Sequence, residues 1–187
     1  MINVQIEAAG LLKTLNSISD NIVKDTKDAA NKTATKGVSL MAKGVSSEIR
    51  VSQKRVKRHI KKRKIDGGAS VELEKSDRLA LKAFKPVQRK TGVRYKIKKG
   101  GSLKTIRHAF MGPRPGVLAA KLNGHVFVRK NVFAPRKPIR RAGRGPSPWG
   151  VLAKNPSKLK SIQLGLQVEL RKQLQKRIQF IKYKQKG

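Results

Sequence analysis

The sequence predicts an α+β protein: N-terminal helices, a small antiparallel sheet with long basic loops, and a C-terminal amphipathic helix. Three observations carry that reading. Short apolar-alternating segments fill the middle of the chain between glycine and proline turns. Apolar residues recur every three or four positions in the segments that flank this middle. Charge is also segregated. Residues 1–49 hold six Lys and five Asp or Glu, whereas the rest holds 40 Lys or Arg against Asp66, Glu72, Glu74, Asp77 and Glu169 alone.

In chain order, alternation at Ile2, Val4 and Ile6 gives a first strand, and Leu11, Leu12, Leu15 and Ile18 follow at helical spacing. Asp20 can cap a longer helix whose apolar face runs through Ile22 or Val23, Ala30, Ala34, Val38, Met41 and Val45. Its small residues (Ala29, Ala30, Ala34, Gly37, Ala42 and Gly44) let another helix approach closely, within the domain or across an oligomer seam. Residues 1–49 thus form a near-neutral unit suited to meeting protein.

Residues 50–65 read as a basic helix capped by Ser52, with Val56 and Ile60 as a thin apolar stripe. Nine of the fifteen residues from Arg50 to Lys64 are basic and none is acidic. A charge run is often only a solvated face, but the lack of compensating carboxylates favours contact with a polyanion.

Gly67-Gly68 breaks the chain, and residues 69–129 read as the sheet. Its strands are ASVELEK, LALKAF, GVRYKIK, TIRHAFM and HVFVR, with Asn123-Gly124 as a hairpin turn. Alternation of Val93, Tyr95 and Ile97 places Arg94, Lys96 and Lys98 together on the wet face. Residues 130–158 form a basic arm holding five of the eight prolines and no acid, unable to supply a central strand. Within it Trp149, the only tryptophan, is the expected anchor on a neighbouring subunit or partner protein, or else folds back on its own subunit. Residues 159–187 close the single domain with a helix whose stripe is Leu159, Ile162, Leu166, Leu170, Leu174, Ile178 and Ile181.

Several chemistries are excluded on residue grounds. Without cysteine there are no disulfides or thiolate metal sites, and His59, His108 and His125 lack a partner ligand at helical spacing, so no metal or other cofactor is expected. A nuclease would need converging carboxylates; Glu72 and Glu74 share a strand face, but Lys75 would point the other way, and their acids more simply pair with basic neighbours. The Gly100-Gly101-Ser102 turn lacks phosphate-loop spacing. No apolar run is long enough for a membrane span, and MINVQIEAAG has no basic leader, so assembly in a reducing cytoplasm is expected. Aromatic residues are too few for single-strand stacking, and no base-reading motif is present. Sequence-independent attraction to phosphates remains. Its candidate contacts are Arg50, Lys54, Arg55, Lys57, Arg58, Lys61, Lys62, Arg63, Arg94, Lys96, Lys98, Arg136, Lys137, Arg140 and Arg141.

The order of parts from about residue 20 to 185 resembles the minor tail protein Z family of long-tailed phages, also called tail completion proteins. The resemblance runs from an alanine-rich helix through IRVSQKRVKRHI, GGSL and NGHVFVRK to PRKPIRRAGRGPSPWG and a basic C-terminal helix. The family's strand-arginine, Pro-Ile and Gly-Pro-Ser elements correspond to Phe127 and Arg129, Pro138 and Ile139, and Gly145, Pro146 and Ser147, with Arg144 where an aromatic residue is usual. Together with Trp149 these would form the family-motif loop and its subunit or partner contacts. The resemblance implies a non-enzymatic virion component at the head-proximal end of the tail. It would be a homo-oligomeric ring, six-fold to match the tail tube, meeting the tail terminator, tail tube and head connector proteins and the end of the phage's double-stranded genome. An RNA-binding protein of ribosomal type is the alternative, since high pI and basic arms are common there.

Overall fold

The computed structural model describes residues 2–6, 20–112, 124–129 and 139–184. The helix expected over Leu11 to Ile18, the Arg136, Lys137 and Pro138 positions and Asn123 of the Asn123-Gly124 turn lie outside them. Strand β1 (Ile2–Ile6) is followed by helices α1 (Asp20–Glu48) and α2 (Gln53–Lys57) and strands β2 (Ile60–Ile65) and β3 (Gly68–Leu73). A 3₁₀ turn at Leu81–Phe84 leads to β4 (Val87–Arg89), β5 (Gly92–Tyr95), β6 (Lys104–Arg107), β7 (Ala109–Met111), β8 (Val126–Arg129) and β9 (Ile139–Arg141). Helices α3 (Pro148–Ala153) and α4 (Pro156–Lys184) complete the chain. The fold is α+β.

Among the described residues three small antiparallel sheets stand where one was expected, ordered β1-β3-β2, β4-β5-β6 and β7-β8-β9. The segment TIRHAFM divides at His108, whose left-handed φ of 56° turns the chain from the second sheet into the third. Gln88 ties these two sheets together by accepting from the Met111 amide at 2.8 Å and donating to the Ala109 carbonyl at 3.4 Å. LALKAF is not a strand. Leu81, Ala83 and Phe84 are all buried, which period-two alternation cannot achieve.

The basic helix expected over 50–65 is likewise corrected. Helix α2 ends at Lys57, too short to stand alone, and buried Val56 pins it to the core. Ser52 sits at its N-cap, but only its carbonyl is used, accepting from the amides of Arg55 and Val56 at 3.0 and 3.1 Å; its hydroxyl caps nothing. From Ile60 the chain is an edge strand paired with β3, with Ile65 opposite Gly68 across a two-residue Asp66-Gly67 hairpin. The row of exposed basic side chains on β2 is a usual protection of an open sheet edge.

Met41, Val45, Val56, Val71, Leu73, Leu79, Phe84, Val93 and Leu152 belong to one buried cluster shared by the helices and sheets. Helix α4 runs antiparallel to α1. A Cβ on Gly37 would lie 3.1 Å from Leu166 Cδ2, and one on Gly44 3.1 Å from Ile162 Cδ1, so the small-residue face of α1 admits a helix of its own subunit. Arg177 closes the far end on Asp25 at 3.1 Å. The apolar stripe of α4 is covered only in its first half: Ile162 and Leu166 are buried, whereas Ile178 is exposed.

The arm expected over 130–158 is partly regular structure. β9 is an edge strand, where the proline constraint allows it. Ala142, Val151 and Leu152 join the core, and Trp149 packs partly against it, so the described arm folds back on its own subunit. The Ser147 hydroxyl caps α3 by accepting from the Gly150 amide at 3.1 Å, with Pro148 in the first turn.

Candidate nucleic-acid interface

Helix α2, the loop before it and the 3₁₀ turn enclose a cleft of about 520 Å³. Arg50, Lys54, Arg55, Arg58, Lys82 and Lys85 line it with Ser52 and Ala83, and no carboxylate is among them. Two apolar anchors set this arrangement. Val56 fixes α2 and Phe84 fixes the turn, so their cations converge without needing ion pairs to hold them. Arg55 adds a direct link by donating from Nη1 to the Lys82 carbonyl at 3.2 Å. Lys85 adopts a left-handed φ of 50° just before Pro86, a strained conformation that throws its side chain toward the cleft lined by α2.

Strand β9 extends the positive surface with exposed Arg140 and Arg141. His125, only 8 % exposed, registers the same field. Burial of its imidazole lowers its pKa below the ordinary histidine value, and Lys82, Arg141 and Arg55 act in the same direction. His125 is therefore neutral when folded at pH values where the unfolded chain already binds a proton. Stability from this group is complete above the ordinary histidine value of about 6.5 and is lost as pH falls below it toward the folded pKa. A His125→Gln variant should lose less melting temperature than the parent between about pH 7.5 and 5. A duplex bound at the cleft should neutralise the three cations and raise the His125 pKa, readable by imidazole NMR. Equal acid sensitivity of the two proteins would contradict this account.

The other predicted contacts divide. Lys57 is exposed on α2 beside the cleft without lining it. On β2, Lys61 pairs with Glu74, Arg63 with Glu72 at 3.4 Å, and Lys62 donates to Thr35 Oγ1 at 3.1 Å. These side chains have internal partners, and the acids considered for a nuclease are the ones they neutralise; Glu72 is 8 % exposed rather than solvated. Arg94 is exposed on β5, but the strand ends at Tyr95, so Lys96 and Lys98 do not share its face. The Lys98 backbone bridges to Ile49, and its side chain borders a different cleft.

Of the motif residues, Phe127 is buried and stacks on Phe110 at 6.0 Å between centroids, with the Arg129 guanidinium 5.9 Å over the Phe110 ring. Ile139 is exposed on β9. Gly145 donates to the Leu79 carbonyl at 2.7 Å, and Pro146 accepts from the Leu79 amide at 3.3 Å. Sequence reasoning missed Lys82 and Lys85; once LALKAF reads as a turn, its lysines become candidates for the α2 cluster. Among the described residues no group of three or more His, Asp or Glu is placed to hold a metal ion, and no helix is long and apolar enough to cross a membrane.

No family model, curated protein or solved structure matches this chain.

Proposed function

We propose that the chain is a non-enzymatic structural component of a phage tail that contacts duplex DNA through its phosphates. The observation that carries DNA contact is the acid-free cleft of Arg50, Lys54, Arg55, Arg58, Lys82 and Lys85. Six cations held around one concavity by buried apolar anchors favour a polyanion. The tail setting rests on the resemblance of motif order. In that setting the protein completes the head-proximal end of the tail as a homo-oligomeric six-fold ring, beside the tail terminator, tail tube and head connector proteins. It is made in the host cytoplasm and retained in the virion. Contacts confined to phosphates hold the genome end and still release it during ejection, because such binding lets a duplex slide.

The test has two parts. Fluorescence anisotropy with duplexes of unrelated sequence should give equal affinities that fall steeply with salt. A phage lacking this gene should accumulate filled heads and unjoined tails, restored by the gene in trans. Sequence preference or a flat salt response would overturn phosphate binding; normal virions from the deleted phage, or recovery of the protein with ribosomal RNA, would overturn the tail assignment.

A further inference from the structure

A second cleft, of about 620 Å³, opens between the end of α1, the Ile97-Lys98 segment, the 144–147 turn and α3. Its volume is that of a pocket for a small ligand or a few side chains. Its make-up differs from the α2 cleft. Ile97, Pro146, Val151 and the Trp149 indole provide apolar wall, where the α2 cleft has only Ala83. Five cations, Lys75, Arg78, Lys98, Arg144 and Lys154, stand around that wall, all exposed and none in an ion pair among the described residues. Lys75 Nζ lies 5.4 Å over the Trp149 ring. The single carboxylate of the lining, Glu48, is held by Lys158, and that bond and charge, with Lys98 adding to them, keep its pKa below the usual range. Its charge is engaged by Lys158 and Lys98, which leaves Lys75, Arg78, Arg144 and Lys154 without a paired carboxylate among the described residues.

Phosphate binding needs charge and no apolar wall. An apolar wall ringed by free cations fits a ligand that carries carboxylates and apolar side chains together. We propose that this cleft docks an acidic peptide segment of another protein, with an apolar side chain beside Trp149 and carboxylates on Arg144 and Lys154. This goes beyond duplex binding and uses a separate set of side chains, so the subunit has one surface for nucleic acid and another for a protein partner.

Trp149 is the only tryptophan, so its emission reports this cleft without labelling. The probe is a short blocked peptide of Asp residues with two Leu, titrated into the full chain beside an all-Asp peptide and the Asn-for-Asp version. The Asp-Leu peptide should shift Trp149 emission saturably, and each control should bind at least ten-fold more weakly. The Arg144→Gln, Lys154→Gln double variant should lose several-fold in peptide affinity, with melting held or raised and a far smaller change in duplex affinity, because exposed ion pairs are individually weak. The absence of a saturable Trp149 response, or equal binding of the all-Asp peptide, would overturn the proposal. Displacement of the peptide by excess duplex would overturn it as well, because the cleft would then belong to the phosphate surface. Failure of duplex binding itself would leave these peptide readouts unaffected.

Discussion

Replacing Arg50, Lys54, Arg58 and Lys85 with Gln will weaken duplex binding by several hundred-fold at moderate salt while leaving the fold intact. All four side chains are exposed and line the same cleft, and none pairs with a carboxylate among the described residues. Each phosphate contact contributes about −0.9 to the slope of log affinity against log salt, or roughly five-fold in affinity at about 0.15 M. Four lost contacts therefore lower the slope magnitude by about 3.6 and the affinity by roughly three orders of magnitude at most. Arg55 is left in place because it also bonds the Lys82 carbonyl.

Global charge alone would predict the same loss from any four cations. Gln at Lys160, Arg171, Lys172 and Lys176, all exposed on α4, is the matched comparison and should change affinity far less. Melting temperature should hold or rise in both variants, since self-repulsion falls. Equal losses would show that net charge, rather than the cleft, governs binding.

Elements whose burial is one-sided and regular were legible in the sequence. The stripes of α1 and the first half of α4 appear at the expected positions because each buries one face against the other. Strand β2 was illegible because every side chain after Ile60 faces water. An edge strand buried at one residue has no period to read, and Val56 and Ile60, four apart, imitate a helical stripe although they enter the core on either side of a turn. Asp66-Gly67 was the available signal, since that dipeptide favours a two-residue hairpin. At the α2 cleft, the sequence offered a run of basic residues but could not separate those that face solvent together from those that protect a sheet edge. That division depends on Glu72 on β3 and Glu74 just past its end lying beside β2, a pairing set by register. Trp149 was ambiguous for a different reason: sparse apolar residues in a proline-rich segment can dock on any subunit, and only the ladder from Leu79 to Pro146 commits them to their own.

That ladder makes Gly145→Ala a substitution with a large expected cost to stability. Gly145 is buried in a segment joined to Leu79 and Ala80 by backbone bonds, so it cannot withdraw from the core. An alanine Cβ there would lie 2.7 Å from Cζ of Phe84 and nearer still to Cε2. The Phe84 ring is fully buried within the core cluster and has no solvent side to move toward. Overpacking of this kind costs about 1–3 kcal/mol. The neighbouring Gly143→Ala should stay within about 0.5 kcal/mol, since nothing lies within 4 Å of its Cβ. Phe84 also ends the turn that presents Lys82 and Lys85, so displacing its ring should weaken duplex binding at temperatures where the variant is still folded. Adding Phe84→Leu to Gly145→Ala trades the ring for a smaller side chain and should recover part of the lost melting temperature. Identical melting of the Gly143 and Gly145 variants would show that the ring yields freely. Unequal melting with unchanged duplex affinity would confine Gly145 to stability, and separate the Gly-Pro-Ser turn from the cleft it is argued to support.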